Sequence, residues 1–120
     1  MEHRNVVLEK SFEFALLIIA FTEELERQKK FVIARQILKS ETSIGANINE
    51  AQSCESNADF IHKLKIASRE ANETKYWLML CKSSASYPFK DSLIDKLNEI
   101  QKLLSAIIST SKHIDPNINH

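Results

Sequence analysis

Apolar residues recur at intervals of four and three along most of this chain. The clearest run extends through the centre, and its members are Phe60, Leu64, Ala67, Ala71, Thr74, Leu78 and Cys81. This spacing is typical of a long helix that packs one side against other helices. The same spacing returns near the end, at Leu93, Leu97, Ile100, Leu104 and Ile107.

The pattern predicts four helices, over about 5–26, 31–53, 57–84 and 90–111. The basic residues Arg27, Lys29 and Lys30 mark the first turn, and the helix macrodipole favours positive charge at such a C-terminal end. Ser56 and Asp59 have the spacing of a capping box at the start of the third helix. Short turns between helices predict an antiparallel up-down four-helix bundle. We expect residues 1–120 to form a single domain, with 115–120 a frayed tail.

The first helix is apolar around more than one side. One face contains Val7, Phe14, Leu17, Ile18, Phe21 and Leu25, and the apolar surface is extended by Phe12, Leu16 and Ile19. A helix in a four-helix monomer is covered on one face only, so the surplus must be covered in another way. The pattern therefore predicts that the bundle assembles into a homo-oligomer.

Composition agrees with an all-α fold in the cytoplasm. The chain has 1 Gly and 2 Pro among 120 residues, too few for the many turns of a β-rich fold. The longest apolar run, residues 14–21, is far shorter than the roughly 20 residues that span a bilayer. Cys54 and Cys81 are the only cysteines, and in a helical chain they are expected to be free thiols in a reducing compartment. We therefore expect no membrane association.

Candidate catalytic chemistry is sparse. A di-iron bundle uses Glu-x-x-His motifs, and the nearest match here runs from Asp59 to His62. Cys81 falls on the apolar seam of the third helix, where it is expected to be a core residue. We predict no catalytic residue, no metal site and no cofactor. A metal-binding enzyme built on the bundle core is the competing hypothesis.

The segment 27–39 contains five basic residues and no acid, which makes it the candidate nucleic-acid surface: Arg27, Lys29, Lys30, Arg35 and Lys39. The formal net charge of +0 argues against a strong nonspecific polyanion binder but leaves room for a local patch. If the second and third helices fold about a turn near 54–55, Lys39 faces Glu70 and Arg35 lies near Glu73. Such pairing would partly neutralise the patch.

Polar residues also lie inside the second helix. Asn47, Asn49 and Glu50 form either a solvated face or a buried network with Ser43 and Lys63 that fixes helix register. Gly45 costs roughly 1 kcal/mol relative to Ala in a helix, so we expect it to mark a close approach of two helices. In the third helix Trp77 is expected to border the core, while Tyr76 points outward or into a subunit contact.

Two central stretches resemble a known family. Residues 43–51 read SIGANINEA, similar to the SIGANIxEA signature of four-helix-bundle proteins encoded in intervening sequences of bacterial 23S ribosomal RNA genes, also labelled S23 ribosomal protein. Residues 56–78 fit the family pattern SxxDFxxKLxIAxxEAxETxYWL, and Glu41 departs from it, because members often have Gly there. The structural motif positions are Ser43, Asn47, Glu50, Asp59, Lys63, Glu70, Glu73, Tyr76 and Trp77.

The resemblance implies an up-down bundle that assembles into a ring, a homopentamer. The sequence is also similar to the accessory protein of diversity-generating retroelements, a pentameric barrel whose basic surface binds nucleic acid and reverse transcriptase. The expected function is that of a non-enzymatic assembly module with RNA or nucleoprotein contact. The alternative is a purely structural protein–protein adaptor. The family name reflects where the genes lie and does not establish RNA binding.

Overall fold

The computed structural model describes residues 2–113, with side chains from residue 6 onward, and these residues form four α-helices and no strand. They are α1 (Glu2–Arg27), α2 (Phe31–Ala51), α3 (Asn57–Ser83) and α4 (Asp91–Lys112). The prediction of four helices is confirmed, and each end lies within three residues of its expected position. The predicted frayed tail, 115–120, lies outside the described residues.

The helices surround one hydrophobic core. Neighbours around the bundle are α1 with α2, α2 with α3, α3 with α4, and α4 with α1. The seams that the sequence pattern predicts point inward, and the largest fully buried apolar side chains are Phe14, Ile18, Leu25, Ile37, Ile44, Ile48, Leu64, Leu78, Leu97, Ile100 and Leu104. Within the described residues no helix combines the length and the apolar character needed to cross a membrane.

Short local motifs set the helix ends. After α1, Lys29 takes a positive φ of 63°, and the N–H of Lys30 donates to the carbonyl of Leu25 at 2.8 Å. This bond, which spans five residues, is typical of a Schellman C-cap. At the start of α3 the Ser56 hydroxyl accepts from the N–H of Asp59 at 3.1 Å. The expected return bond from the Asp59 carboxylate is not formed within the described residues, so only half of the predicted capping box is present.

Hydrogen bonds fix the register of α2 against α3. The Ser40 and Thr74 hydroxyls are 2.7 Å apart, and Lys63 Nζ donates to Glu50 Oε1 at 2.9 Å. The predicted register, with Lys39 opposite Glu70, is therefore wrong by about one helical turn. Among the described side chains Arg35, Lys39 and Glu70 take part in no ion pair.

Three hydrogen bonds connect α3 with α4. Gln101 Nε2 donates to Asn72 Oδ1 at 2.8 Å, and Lys75 Nζ donates to Asn98 Oδ1 at 3.0 Å. The third joins Asn57 Nδ2 to the carbonyl of Ser111 at 2.9 Å. Residue numbers rise along one helix as they fall along the other.

Candidate interaction surfaces

The outer side of α1 carries an exposed apolar stripe. Phe12 is 58% exposed, Leu16 57% and Ile19 44%. Their spacing of four and three places them on one side of the helix, away from the seam that enters the core. We call these three residues the outer seam. Leu17, which the sequence pattern placed on the inner face, is also partly exposed, because it lies at the edge of that face.

A groove runs beside the outer seam, between α1 and α2. It has a volume of about 330 Å³ and is lined mainly by apolar atoms of Leu8, Ser11, Phe12, Ala15, Leu16, Ile19, Gly45 and Asn49. A methyl group added to Gly45 would meet no heavy atom within 4 Å. The prediction that Gly45 marks a close approach of two helices is therefore wrong for the protomer, where the position faces open space.

Acidic residues bound the outer seam at both ends. Glu9 lies three residues before Phe12, and Glu23 lies four residues after Ile19, and both are exposed. The stripe is therefore apolar in the middle and negative at its ends. Helix α1 as a whole contains six acidic and three basic residues.

The predicted basic surface lies around the first turn and the first half of α2. Arg27, Lys29, Arg35 and Lys39 are exposed, and Lys30 is half-buried. The Lys30 ammonium lies 4.8 Å from the centre of the Tyr87 ring, a distance suited to a cation–π contact. The five residues spread along about three helical turns and do not gather around one concave feature.

A second basic surface lies between α3 and α4. One hollow of about 440 Å³ is lined by His62, Lys65, Ser68, Arg69 and Ile108. Another of about 510 Å³ is lined by Lys75, Asn98, Gln101, Lys102 and Ser105. The two hollows follow each other along the same pair of helices, and we call them together the α3–α4 groove.

The polar motif residues of α2 divide between two contacts. Asn47 Nδ2 donates to the carbonyl of Ser43 at 2.8 Å and lies 3.2 Å from its hydroxyl. Glu50 instead pairs with Lys63 across the α2–α3 contact. Neither the hypothesis of a solvated face nor that of one buried network describes these residues fully. The Asn47–Ser43 and Glu50–Lys63 contacts are separate, and Asn49 is exposed beside the α1–α2 groove.

Trp77 and Tyr76 of α3 have the burial that the sequence predicted. Trp77 is half-buried against the core, and Tyr76 is 58% exposed. Trp77 Nε1 donates to Glu73 Oε2 at 3.4 Å, a long and weak hydrogen bond. The two rings meet edge to face with centroids 5.3 Å apart, so Trp77 orients Tyr76 toward the surface.

Glu41, where the sequence departs from the family pattern, is a carboxylate whose burial the sequence analysis did not predict. It is 0% exposed, and neither carboxylate oxygen has a hydrogen-bond partner among residues 2–113. Burial raises the pKa of Glu41 from 4.5 to about 7, because the charged form is poorly solvated inside the protein. The signal was present in the sequence, since Glu41 occupies a position on the spaced seam between Ile37 and Ile44.

The cysteines give no sign of a reactive site. Both are free, with Cys54 half-buried and Cys81 buried. Burial raises the pKa of the Cys81 thiol to about 11, which disfavours the reactive thiolate. The prediction that Cys81 is a core residue is confirmed. Within the described residues no three His, Cys, Asp or Glu side chains gather as metal ligands would.

Comparisons with known proteins agree with the family resemblance. Residues 3–106 match the model of the family described as 23S rRNA-intervening sequence protein. A solved structure from Bacteroides thetaiotaomicron VPI-5482, described as a protein with unknown function from the S23 ribosomal protein family, is 47% identical to this chain. The match covers 89% of this chain and 98% of the Bacteroides chain, with a TM-score of 0.84.

A search of curated proteins gave no match. The family model covers most of the sequence, and the Bacteroides structure shares both the fold and nearly half of the residues. The chain therefore belongs to the 23S rRNA-intervening sequence protein family.

Proposed function

We propose that this protein is a non-enzymatic, cytoplasmic assembly module. In this proposal the four helices form an antiparallel up-down bundle, and copies of the bundle form a closed ring, a homopentamer. The ring contacts RNA or a nucleoprotein.

The outer seam of α1 is the observation that carries the proposal. Phe12, Leu16 and Ile19 together expose a large apolar surface to water. Burying one such side chain stabilises a protein by about 1.5–3 kcal/mol, so covering the stripe with a second copy is strongly favoured. The adjoining groove, lined by Ala15 and Gly45, offers a concave surface for side chains of the neighbouring copy.

The charges at the ends of the outer seam favour a ring over a two-fold dimer. If two outer seams packed against each other about Leu16 in opposite directions, Glu9 of one copy would approach Glu23 of the other. Like charges at that distance repel, which disfavours a self-complementary contact. Contact between unlike surfaces generates closed rings when the rotation allows closure.

Nucleic-acid contact is the second part of the proposal. The basic residues around the first turn and α2 are proposed to contribute, namely Arg27, Lys29, Lys30, Arg35 and Lys39. A ring would repeat each of them by symmetry, which strengthens a weak patch through multiple contacts. The family description supports a link to RNA only through the position of the genes.

Light scattering during size-exclusion chromatography tests the assembly. We expect a mass several times that of the 13.8 kDa chain, unchanged over a wide range of concentrations, because the apolar contact is strong. A single-chain mass at high concentration would contradict the proposal. Assembly that takes up no RNA even at low salt would instead favour the protein–protein adaptor.

A further inference from the structure

Basic and neutral side chains line the α3–α4 groove. Lys65, Arg69, Lys75 and Lys102 line it, and His62 lies at one end. None of these residues forms an ion pair with a described residue. Lys75 is held by Asn98, and Gln101 by Asn72, so neutral amides rather than carboxylates occupy the floor.

Nearby acids are directed elsewhere. Glu99 of α4 forms an ion pair with Lys10 of α1 at 2.8 Å, on the other side of the helix. Asp91 forms one with Lys82 at 3.2 Å, beyond the end of the groove. No acidic side chain lines either hollow. All the charged side chains that line the two hollows are therefore basic.

The first turn differs in this respect. Glu23, Glu24 and Glu26 lie in the last two turns of α1, directly before Arg27 and Lys29. Three acids and the three basic residues of the turn balance within a short segment. A phosphate group near that turn meets opposing charges, whereas one in the α3–α4 groove meets cations and amides.

We infer that the α3–α4 groove is the principal binding site for the phosphate backbone of single-stranded RNA, an inference that rests on the proposed function. Lys65 and Lys75 are ten residues apart on one helix, about 15 Å. The groove is therefore long enough to follow several nucleotides of a single strand. Sites of this kind combine a basic track with aromatic side chains on which bases stack.

Tyr76 supplies that aromatic surface. It is exposed, follows Lys75 directly, and lies four residues after Asn72, which bonds to α4. Residues four apart share a helix face, so Tyr76 lies on the same side of α3 as Asn72, beside the two hollows rather than in their lining. Its ring meets the Trp77 ring edge to face. A single strand whose phosphates follow the lysines can therefore place a base on Tyr76.

Fluorescence anisotropy with a labelled oligouridylate of about 15 nucleotides tests this inference. The groove variant is the double substitution Lys65→Gln and Arg69→Gln. The matched control, Lys90→Gln and Lys96→Gln, removes the same charge from exposed positions at and near the start of α4, outside the groove. We expect the groove variant to bind at least about tenfold more weakly and to lower the salt slope by about 1.4, since each lost phosphate contact lowers it by about 0.7.

The possible results distinguish an error in the location of the binding site from an error in the proposed RNA binding. If the control loses more affinity than the groove variant, the inference is overturned while RNA binding by the protein stands. If the wild-type protein fails to bind the oligouridylate at low salt, both the inference and the RNA part of the proposed function are wrong. If polyglutamate competes as well as RNA does, the groove is a site for an acidic protein segment instead.

Substitution of Tyr76 gives an independent readout. We expect Tyr76→Leu to weaken binding of the oligouridylate several-fold while leaving the salt slope unchanged, because stacking involves no phosphate charge. Circular dichroism confirms that each variant remains helical. Unchanged affinity for the Tyr76 variant would remove the stacking contact from the inference.

Discussion

The α1–α2 side and the α3–α4 side of this bundle differ in almost every surface property. The first presents the outer seam, a groove lined by apolar atoms, and acidic residues at the ends of the stripe. The second presents a polar groove lined by lysine, arginine and amide side chains. An apolar surface favours contact with protein, and an unneutralised basic groove favours contact with phosphate.

Acidic and basic residues are unevenly distributed among the helices even though the net charge is zero. Helix α1 contains six acidic and three basic residues, whereas α3 contains five basic and three acidic residues. The net charge of the chain hides both the acidic excess of α1 and the basic excess of α3. The argument from net charge against a polyanion binder therefore does not hold for the α3–α4 surface.

The largest expected effect comes from charging the outer seam. Leu16→Glu places a carboxylate at the centre of the apolar stripe, where burial against a second copy would strongly disfavour it. We expect the native mass to fall to that of one chain while the helical content is retained. Ala106→Glu, an exposed position on α4, is the control and should assemble normally. Normal assembly of the Leu16 variant would place the subunit contact elsewhere.

The next effect concerns Glu41, the buried charge of the α1–α2 half. Its pKa in the folded protein, about 7, lies above the ordinary value of 4.5, so the folded state holds a proton that the unfolded chain has released. Stability must therefore fall as pH rises from about 4.5 to about 7, by about 3 kcal/mol in total, and then level off.

Urea unfolding between pH 5 and pH 8 measures this slope. Glu41→Gln cannot ionise, so the variant should lose the dependence and be more stable than wild type at neutral pH. The comparison needs a fixed protein concentration, because assembly also contributes to stability. Parallel pH profiles for the two proteins would show that the Glu41 carboxylate is solvated or paired in solution.

Gly45→Ala should have opposite effects on the protomer and on the assembly. Within the protomer the new methyl group meets nothing within 4 Å and removes the helix cost of glycine, so the free energy of unfolding should rise by about 1 kcal/mol. In the assembly the methyl group protrudes into the groove beside the outer seam and should weaken association. Thermal unfolding in the Leu16→Glu background measures the first effect, and light scattering of the single variant the second. Stronger assembly would mean that the groove is not filled by a neighbouring copy.

The smallest effect is expected for the ion pair between α2 and α3. Lys63 and Glu50 are joined at 2.9 Å, but both side chains reach solvent, and exposed pairs contribute little. Lys63→Gln should shift the urea midpoint only slightly, and the shift should vanish near 1 M salt because of screening. A large shift that persists at high salt would show that this pair fixes the register by itself.

The four helices and their inner seams could be predicted because helical periodicity is a local property. Residues such as Leu64 and Leu97 reveal their inward orientation through spacing alone. The outer seam was also visible, since Phe12 and Leu16 lie off the main stripe. These features need no knowledge of how one helix is rotated against another.

The register of α2 against α3 and the α3–α4 groove could not be predicted in the same way. Register depends on the conformation of the residues 52–56, and an error of one turn moved Glu70 away from Lys39. The groove combines Arg69 of α3 with Lys102 of α4, so it exists only once the two helices are docked. A partial signal was present, because His62, Lys65 and Arg69 share the outer side of α3.

Native mass spectrometry of the wild-type protein with the oligouridylate tests most directly whether the two surfaces act independently. We expect an assembly of several copies that keeps its subunit number while it takes up RNA, because the outer seam and the α3–α4 groove lie on different sides of the bundle. Dissociation into single chains on RNA binding, or a protein that is a single chain without RNA, would contradict this expectation.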